Sequence, residues 1–415
     1  MNVLSLFSGC GGMDIGFEGG FSCYTRYINT VLHPDWIDRT IDENTVILKE
    51  TGFHTVFAND IRPDAKTAWI SYFKNRKPNA NEIYHIESIV DLVKRAKQGE
   101  IIFPNNIDVV TGGFPCQDFS ISGKRQGFKS QKSHNGGILS HDEPSIESRG
   151  QLYMWMRDVI TLTQPKLFIA ENVKGLTNLE DVKEIIEHDF ADAANGGYLV
   201  VPARVLHAAD YGVPQSRERV IFYGFKKSAL RSQALKSLMQ DIIPDNYDPY
   251  PPKTHHFTTA DDSLYPPVTC CEAFTGLAEP DISSDASQKV YSKAKFMGKH
   301  CQGQTEVKLD SIAPTIRSEH HGNIEYRRLN SEHGGTHIEE LNNGMMERRL
   351  TVRECARIQT FPDDYQFIHR KHGDLSSVSS TDAYKIIGNA VPCVLAYNIA
   401  KHISEKWSIY FKERS

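Results

Sequence analysis

No stretch of the 415-residue sequence comes near the roughly 18 consecutive apolar residues that a membrane-crossing helix needs. The opening stretch MNVLSLFSGCGG also lacks the basic flank of a secretory signal and runs straight into a strand-like pattern. These two absences lead to the expectation of a cytoplasmic protein with no membrane partner. Cysteine is sparse. Eight residues, Cys10, Cys23, Cys116, Cys270, Cys271, Cys301, Cys355 and Cys393, lie scattered with no CxxC pair. That pattern speaks against a zinc ribbon and against a disulfide framework, so no metal is expected. It suits a reducing compartment, where a free thiolate survives. Positive charge is not in excess either: the net charge is −5, so the chain as a whole does not announce a nucleic-acid binder. Internal repeats and low-complexity tracts are absent.

What is present is alternation. Val3–Phe7, Thr55–Ala58, Ile107–Thr111 and Leu167–Ala170 are short apolar runs. They end, in turn, in a glycine-rich turn, Asn59-Asp60, Gly112-Gly113 and Glu171-Asn172. Leu152, Trp155, Met156 and Val159 recur at helical spacing before the fourth run, and Leu179, Val182, Ile185, Ile186 and Phe190 do so after it. Strands alternating with amphipathic helices predict an α/β fold, a parallel sheet with helices on both faces. Ligands in such sheets bind beyond the carboxyl ends of the strands. Val200–Leu206 and Val220–Phe225 read as two further strands. After about residue 227 the texture changes to Pro, His, Gly, Ser and Asp, with PDNYDPYPP at 244–252 as a linker. The expected organisation is a catalytic and cofactor-binding domain over 1–227, a smaller, irregular, mainly β domain over 228–345, and a segment over 346–415 that returns to the first domain. Helical signals in that last segment cover 351–359 and 391–403.

Three stretches carry chemistry. GGFPCQDFS at 112–120 sets a thiol on a proline-stiffened turn at a strand end. Taken alone, the stretch fits a small buried cysteine as well as a nucleophile. LSLFSGCGGMDIGFE is a strand, a glycine turn and a helix start. A pyrophosphate-binding GxGxxG would need a glycine at position 14, where Asp14 stands, so NAD or FAD is disfavoured. A nucleoside cofactor without a pyrophosphate does not need that glycine. Asp60, at the tip of the second strand, suits the paired hydroxyls of a ribose. The long interval from Gly12 to Asp60 points to an insertion near 25–50. ISGKRQGFKSQKS at 121–133 holds four basic residues and no acidic one, which by itself reads as a solvated loop.

Six segments in order run from one end of the chain to the other: LFSGCGG at 6–12, GGFPCQDFSISG at 112–123, ENV at 171–173, PQSRERV at 214–220, RRLTVRECARIQTFPDDY at 348–365 and AYKIIGNAVP at 383–392. In this the chain resembles the bacterial DNA (cytosine-5) methyltransferases of restriction–modification systems. The resemblance implies a Rossmann-like methyltransferase sheet with a target-recognition domain, S-adenosylmethionine as cofactor and cytosine in double-stranded DNA as substrate. It places the nucleophile on Cys116 and further catalytic roles on Glu171, Gln215, Arg217 and Arg219. It assigns the cofactor pocket to Phe7, Gly9, Gly11, Gly12, Met13, Asp60, Ile61, Glu87, Pro115, Asn389 and Val391. It implies DNA contacts by Ser120, Lys124, Arg125, Thr315 and Arg317. A monomer is expected, with a cognate endonuclease acting on the same DNA site but no stable complex with it. Departures from shorter members lie between Phe128 and Arg149, in the segment matching the family's catalytic loop, and over roughly 366–380.

The chemistry explains the residue types. Carbon 5 of cytosine is a poor nucleophile. A thiolate that adds to carbon 6 makes carbon 5 electron-rich, and loss of the carbon-5 proton later expels the thiol. The addition pushes negative charge onto N3 and O2. A carboxylic acid at N3 and an arginine at O2 would stabilise it, and Glu171 and Arg219 suit those places. Arg217 and Arg219 alternate on a strand and so should share a face. Glu171 as a plain helix-start carboxylate, and the arginines as a surface salt-bridge pair, are the bland alternatives. The base must leave the duplex to reach such a pocket, and the 121–133 run would close over it. Base readout is expected from the second domain, with Arg317, Arg327, Arg328, His320, His321 and Asn323 as candidates. Three other readings stay open: a tRNA cytosine-5 methyltransferase, a catalytically silent DNA-binding regulator, and a nucleotide-dependent oxidoreductase.

Overall fold

The computed structural model describes residues 1–115, 152–178, 182–194, 196–257, 262–318 and 323–412. Cys116, Ser120, Lys124, Arg125 and the rest of the 121–133 run lie outside them, as do His320 and His321. The strands in chain order are β1 (Asn2–Leu6), β2 (Ser22–Tyr24), β3 (Ile37–Thr40), β4 (Thr45–Leu48), β5 (His54–Asp60), β6 (Tyr84–Ile86), β7 (Val109–Gly113), β8 (Leu167–Val173), β9 (Tyr198–His207), β10 (Glu218–Lys226), β11 (Tyr326–Arg328) and β12 (Arg348–Arg349).

Seven of them form one sheet in the order β6-β5-β1-β7-β8-β10-β9. The first five in that order pair in parallel, and β10 and β9 close the edge antiparallel. Residue types follow from burial on both faces. Val109, Leu167, Ile169 and Ile221 face one apolar cluster, while Val110, Phe168, Ala170 and Phe222 face the other. Neighbours in sequence point to opposite sides of a pleated strand, so a sheet covered twice needs continuous apolar runs. One of the covers is helix Leu152–Thr163, which buries Leu152, Trp155, Met156 and Val159 as the spacing predicted. Helix Val182–Ala191 buries Val182, Ile186 and Phe190, but Ile185 points to solvent.

The interval between β1 and β5 holds a small antiparallel sheet in the order β2-β4-β3. The segment after β2 reaches over to the middle of the chain. Arg26 pairs with Glu272 at 2.9 Å. Buried Asn29 donates to the carbonyls of Thr254 and Ser263 at 2.8 and 2.6 Å.

The region between β10 and β12 is irregular. It contains short helices and isolated bridges, and β11 pairs with β12 and bridges Glu306 through Tyr326. Its interior is held by ion pairs: Arg328 with Glu279 and Glu340, Arg327 with Glu340, and Arg348 with Glu279 and Glu354. Helix Val352–Ile358 starts with a capping box in which Thr351 and Glu354 satisfy each other's backbone amides. The last helix, Cys393–Tyr410, returns to the first sheet and lies against helix Gly12–Glu18. A side chain at Gly16 would start 2.5 Å from the Ala396 Cβ and from the Cys393 carbonyl, so only glycine permits that approach.

Candidate active site

Glu171 sits inside β8, directly across from Gly113 of β7, and its partner on β10 is Ile221. Arg219 stands two residues before Ile221 and therefore on the same face as Glu171. Its Nε lies 2.6 Å from Glu171 Oε1, and both side chains are about nine-tenths buried. Gly113 makes room for this pair: a Cβ there would lie 2.7 Å from Glu171 Oε2. Past β7 the chain is held to β8 by Asn172, whose Nδ2 donates to the Phe114 carbonyl at 3.2 Å. Pro115 follows, and Cys116 lies outside the described residues.

The other end of the sheet rim carries the glycine turn. Phe7, Gly9 and Gly11 all have positive φ, at 53°, 52° and 82°. Asp60 accepts from the Gly9 amide at Oδ2 and from the Arg62 amide at Oδ1, both at 3.0 Å. Tyr84 donates to the Gly9 carbonyl at 2.8 Å, and Tyr365 donates to the Cys10 carbonyl at 2.7 Å. The three glycines serve different ends. Nothing lies within 4 Å of a Cβ built on Gly9, whereas one on Gly11 would strike Trp69 at 2.5 Å and one on Gly12 the Val391 carbonyl at 2.2 Å. Only Gly9 borders open space. Beneath the turn, Asp14 is buried and accepts from Ser5 Oγ at 2.6 Å and from Trp69 Nε1 at 2.7 Å. Burial pushes its carboxyl up to about 6 against those two hydrogen bonds. Two isoleucines remain open to solvent beside Asp60: Ile61, 44% exposed, and Ile86, 40% exposed and paired with Asp60 across β5 and β6.

The model of the C-5 cytosine-specific DNA methylase family matches residues 40–405. The chain belongs to that family. This DNA cytosine-5 methyltransferase is similar along its length to named relatives. It is 33% identical to the type II methyltransferase M.BspRI of Lysinibacillus sphaericus, over 99% of this chain and 83% of that one. It is 30% identical to M.NgoPII of Neisseria gonorrhoeae, over 98% and 96%. Among solved structures, the S. pombe Dnmt2 methyltransferase aligns with a TM-score of 0.53 at 18% identity, covering 98% of this chain and 99% of that chain. The Entamoeba histolytica methyltransferase EhMeth aligns at 0.55 and 14% identity, covering 98% of each. Those two likenesses show the shared fold.

In the methyltransferase the arginines of PQSRER part ways. Arg217 precedes β10 and is fully buried, and its guanidinium donates to the carbonyls of Ile316 at 3.2 Å and of Gly388 and Ala390 at 2.9 Å. The shared face expected from strand alternation is therefore not formed, because residue 217 stands outside the strand. Gln215 is buried too. Its Oε1 accepts from the Ile316 amide at 2.9 Å and its Nε2 donates to Gln359 Oε1 at 3.0 Å. Thr315 donates to the Ser216 carbonyl. Together these bonds clamp segment 313–316 and the 388–391 turn onto the approach to β10. Asn389 is exposed on that turn, and Val391 is buried against Gly12. Met13 is buried, and the Glu87 carboxylate is paired with Arg95 at 2.5 Å. Arg317 pairs with buried Glu325 at 2.9 Å, and Arg327 and Arg328 are held in the ion pairs above. Of the described cysteines, Cys10, Cys23, Cys355 and Cys393 are buried with thiols pushed well up by desolvation, and Cys270 is raised to about 12 for the same reason. Ile86 and the space-clearing role of Gly113 escaped the sequence reading, since both depend on strand register.

Proposed function

We propose that the methyltransferase attacks carbon 6 of an extruded cytosine with Cys116 while Glu171 and Arg219 hold the charge that forms on N3 and O2. The observation that carries this reading is the buried Glu171–Arg219 pair at 2.6 Å, at the rim position that Gly113 keeps clear. A carboxyl and a guanidinium already locked together have little reorganisation left to make when the ring arrives. The five buried cysteines with raised thiols are poor nucleophiles, which leaves Cys116 together with Cys271 and Cys301, and only Cys116 follows the strand end beside Glu171. Arg217 and Gln215 act in this reading as positioning residues, through the backbone groups they fix.

The rim beside Gly9 fits S-adenosylmethionine. Gly9 opens onto free space, Asp60 keeps lone pairs for ribose hydroxyls, and Ile61 with Ile86 offers an apolar wall to a purine. Phe7, Pro115, Asn389 and Val391 would complete the pocket, with Gly11, Gly12 and Met13 packed beneath it. Glu87 is the outlying member, because its carboxylate already serves Arg95. When bound, the cofactor supplies the electrophilic methyl group that carbon 5 accepts. Residues 228–345 would read the DNA sequence, with Thr315 and Arg317 near the backbone and Ser120, Lys124 and Arg125 closing over the base. In this reading the enzyme is a cytoplasmic monomer that protects DNA from a cognate endonuclease.

The test is transfer of tritiated methyl from S-adenosylmethionine to duplex DNA and, in parallel, to tRNA, followed by bisulfite sequencing of the modified DNA. Wild-type protein should label duplex DNA at one sequence and become trapped on DNA carrying 5-fluorocytosine. Cys116→Ser should do neither. Undiminished methylation by that variant would overturn the assignment, and labelling of tRNA alone would overturn the substrate.

A further inference from the structure

The same rim carries side chains that the proposed chemistry leaves unused. His207 closes β9, and its register partner is Glu218, the neighbour of Arg219. It thus stands at the same end of the sheet, one strand outward from Arg219, with its side chain on the opposite face from the Glu171–Arg219 pair. Phe257 lays its ring beside the His207 ring, centroids 6.4 Å apart and planes 24° apart, yet remains 55% exposed. Lys253 reaches Asp210 Oδ2 at 2.8 Å and is itself half exposed. Asp210 also lies 3.8 Å from His207 Nδ1. Burial opposes charge on that carboxylate, but the nearby His207 ring and the Lys253 ammonium outweigh it and keep the group below the usual carboxylate range.

This group is built, not loose. The Asp210 carbonyl accepts from the amides of Thr254 and His255 at 2.9 and 3.0 Å, and His256 donates to the Tyr265 carbonyl at 2.9 Å. The segment that presents Lys253 and Phe257 is therefore pinned on both sides of His255, while the Phe257 ring is left largely in water. An exposed aromatic ring and an ammonium, linked here through His207 and Asp210, are the groups that single-stranded or unstacked nucleic acid uses: stacking for a base, charge for a phosphate. Asp210 occupies one proton of the ammonium and leaves the others free to donate.

We infer that Lys253, His207 and Phe257 form a second DNA contact, with Lys253 on a phosphate and Phe257 against a base or sugar within a few nucleotides of the extruded cytosine. The inference rests on the reading that places that cytosine at Glu171 and Arg219. Two measurements on the full-length protein test it: methyl transfer to plasmid DNA, and the salt dependence of binding to the same DNA. Lys253→Gln should lower the slope of log K against log salt by about one and raise KM for DNA, and Lys253→Arg should restore both. Phe257→Ala should raise KM for DNA roughly fivefold or more, and Phe257→Trp should not. KM for S-adenosylmethionine should stay unchanged throughout. If Lys253→Gln and Phe257→Ala keep the wild-type KM for DNA and the wild-type salt slope, the patch is not a DNA contact and faces solvent or another protein. If the wild type binds DNA but transfers no methyl group, the catalytic reading falls, and the salt slope still decides this one.

Discussion

A methyl group added at Gly113 probes the site most directly. The Cβ of Gly113→Ala would stand 2.7 Å from Glu171 Oε2, where ordinary contacts begin at 3.4 Å. The other carboxylate oxygen is tied to Arg219 Nε at 2.6 Å. The carboxylate must therefore retreat by roughly 0.7 Å, or tear from the arginine. Misplacement of a catalytic group by about 1 Å costs about a hundredfold in rate, so kcat should fall roughly ten- to a hundredfold. The fold should barely notice, because the clash is with the end of one side chain and Gly113 does not use a positive φ. Gly112→Ala is the control. Its Cβ would press on Met156 Sδ at 3.0 Å, inside the apolar layer, and should cost stability of about 1 kcal/mol or more with a much smaller effect on kcat. The assay pairs single-turnover methyl transfer with urea denaturation for both variants. Wild-type kcat in Gly113→Ala, or a larger kcat loss in Gly112→Ala, would refute the placement of Glu171 in the chemistry.

Other perturbations should separate structure from catalysis. Glu171→Gln keeps the shape but removes the charge facing Arg219, and should cut kcat by roughly a hundredfold while the protein still binds DNA, as a gel-shift assay would read. Asp14 is protonated more readily folded than unfolded, with its carboxyl moved from 3.8 to about 6. Its contribution is fully present below about pH 4 and is lost as pH rises through about 6, a fall of about 3 kcal/mol. Asp14→Asn should remove that fall, so urea midpoints compared at pH 4 and pH 7.5 should show the variant gaining on the wild type. Asn29→Ala removes the donor to the buried Thr254 carbonyl and to the Ser263 carbonyl and should cost about 2 kcal/mol or more in urea unfolding.

Alternation made most of the central sheet legible. Six strands were readable because a doubly covered sheet leaves apolar runs between turns, and β7, β8 and the helix between them place Glu171 beside the chain that leads to Cys116. Strand β6 was not readable: it is three residues long and has a histidine at its centre. The insertion before β5 announced itself by length, but not as a sheet, since Ile37–Thr40 is largely polar and exposed. Arg217 misled because arginines near an active-site strand look alike in sequence. The carbonyls that claim it come from Ile316, Gly388 and Ala390, far along the chain, and only the folded chain brings them there. The resemblance assigns the glycines at 11 and 12 to the cofactor pocket. What the fold adds is that a Cβ on either would meet Trp69 or the Val391 carbonyl, a packing need that no sequence pattern displays.

The contact between Gly12 and the Val391 carbonyl also sets an order of events. Helix Gly12–Glu18 finds its bed only when Cys393–Tyr410 has been made and has folded back onto it. A nascent or prematurely stopped chain would lack the floor under Gly12. A product that stops before Cys393 should therefore be silent instead of half-active.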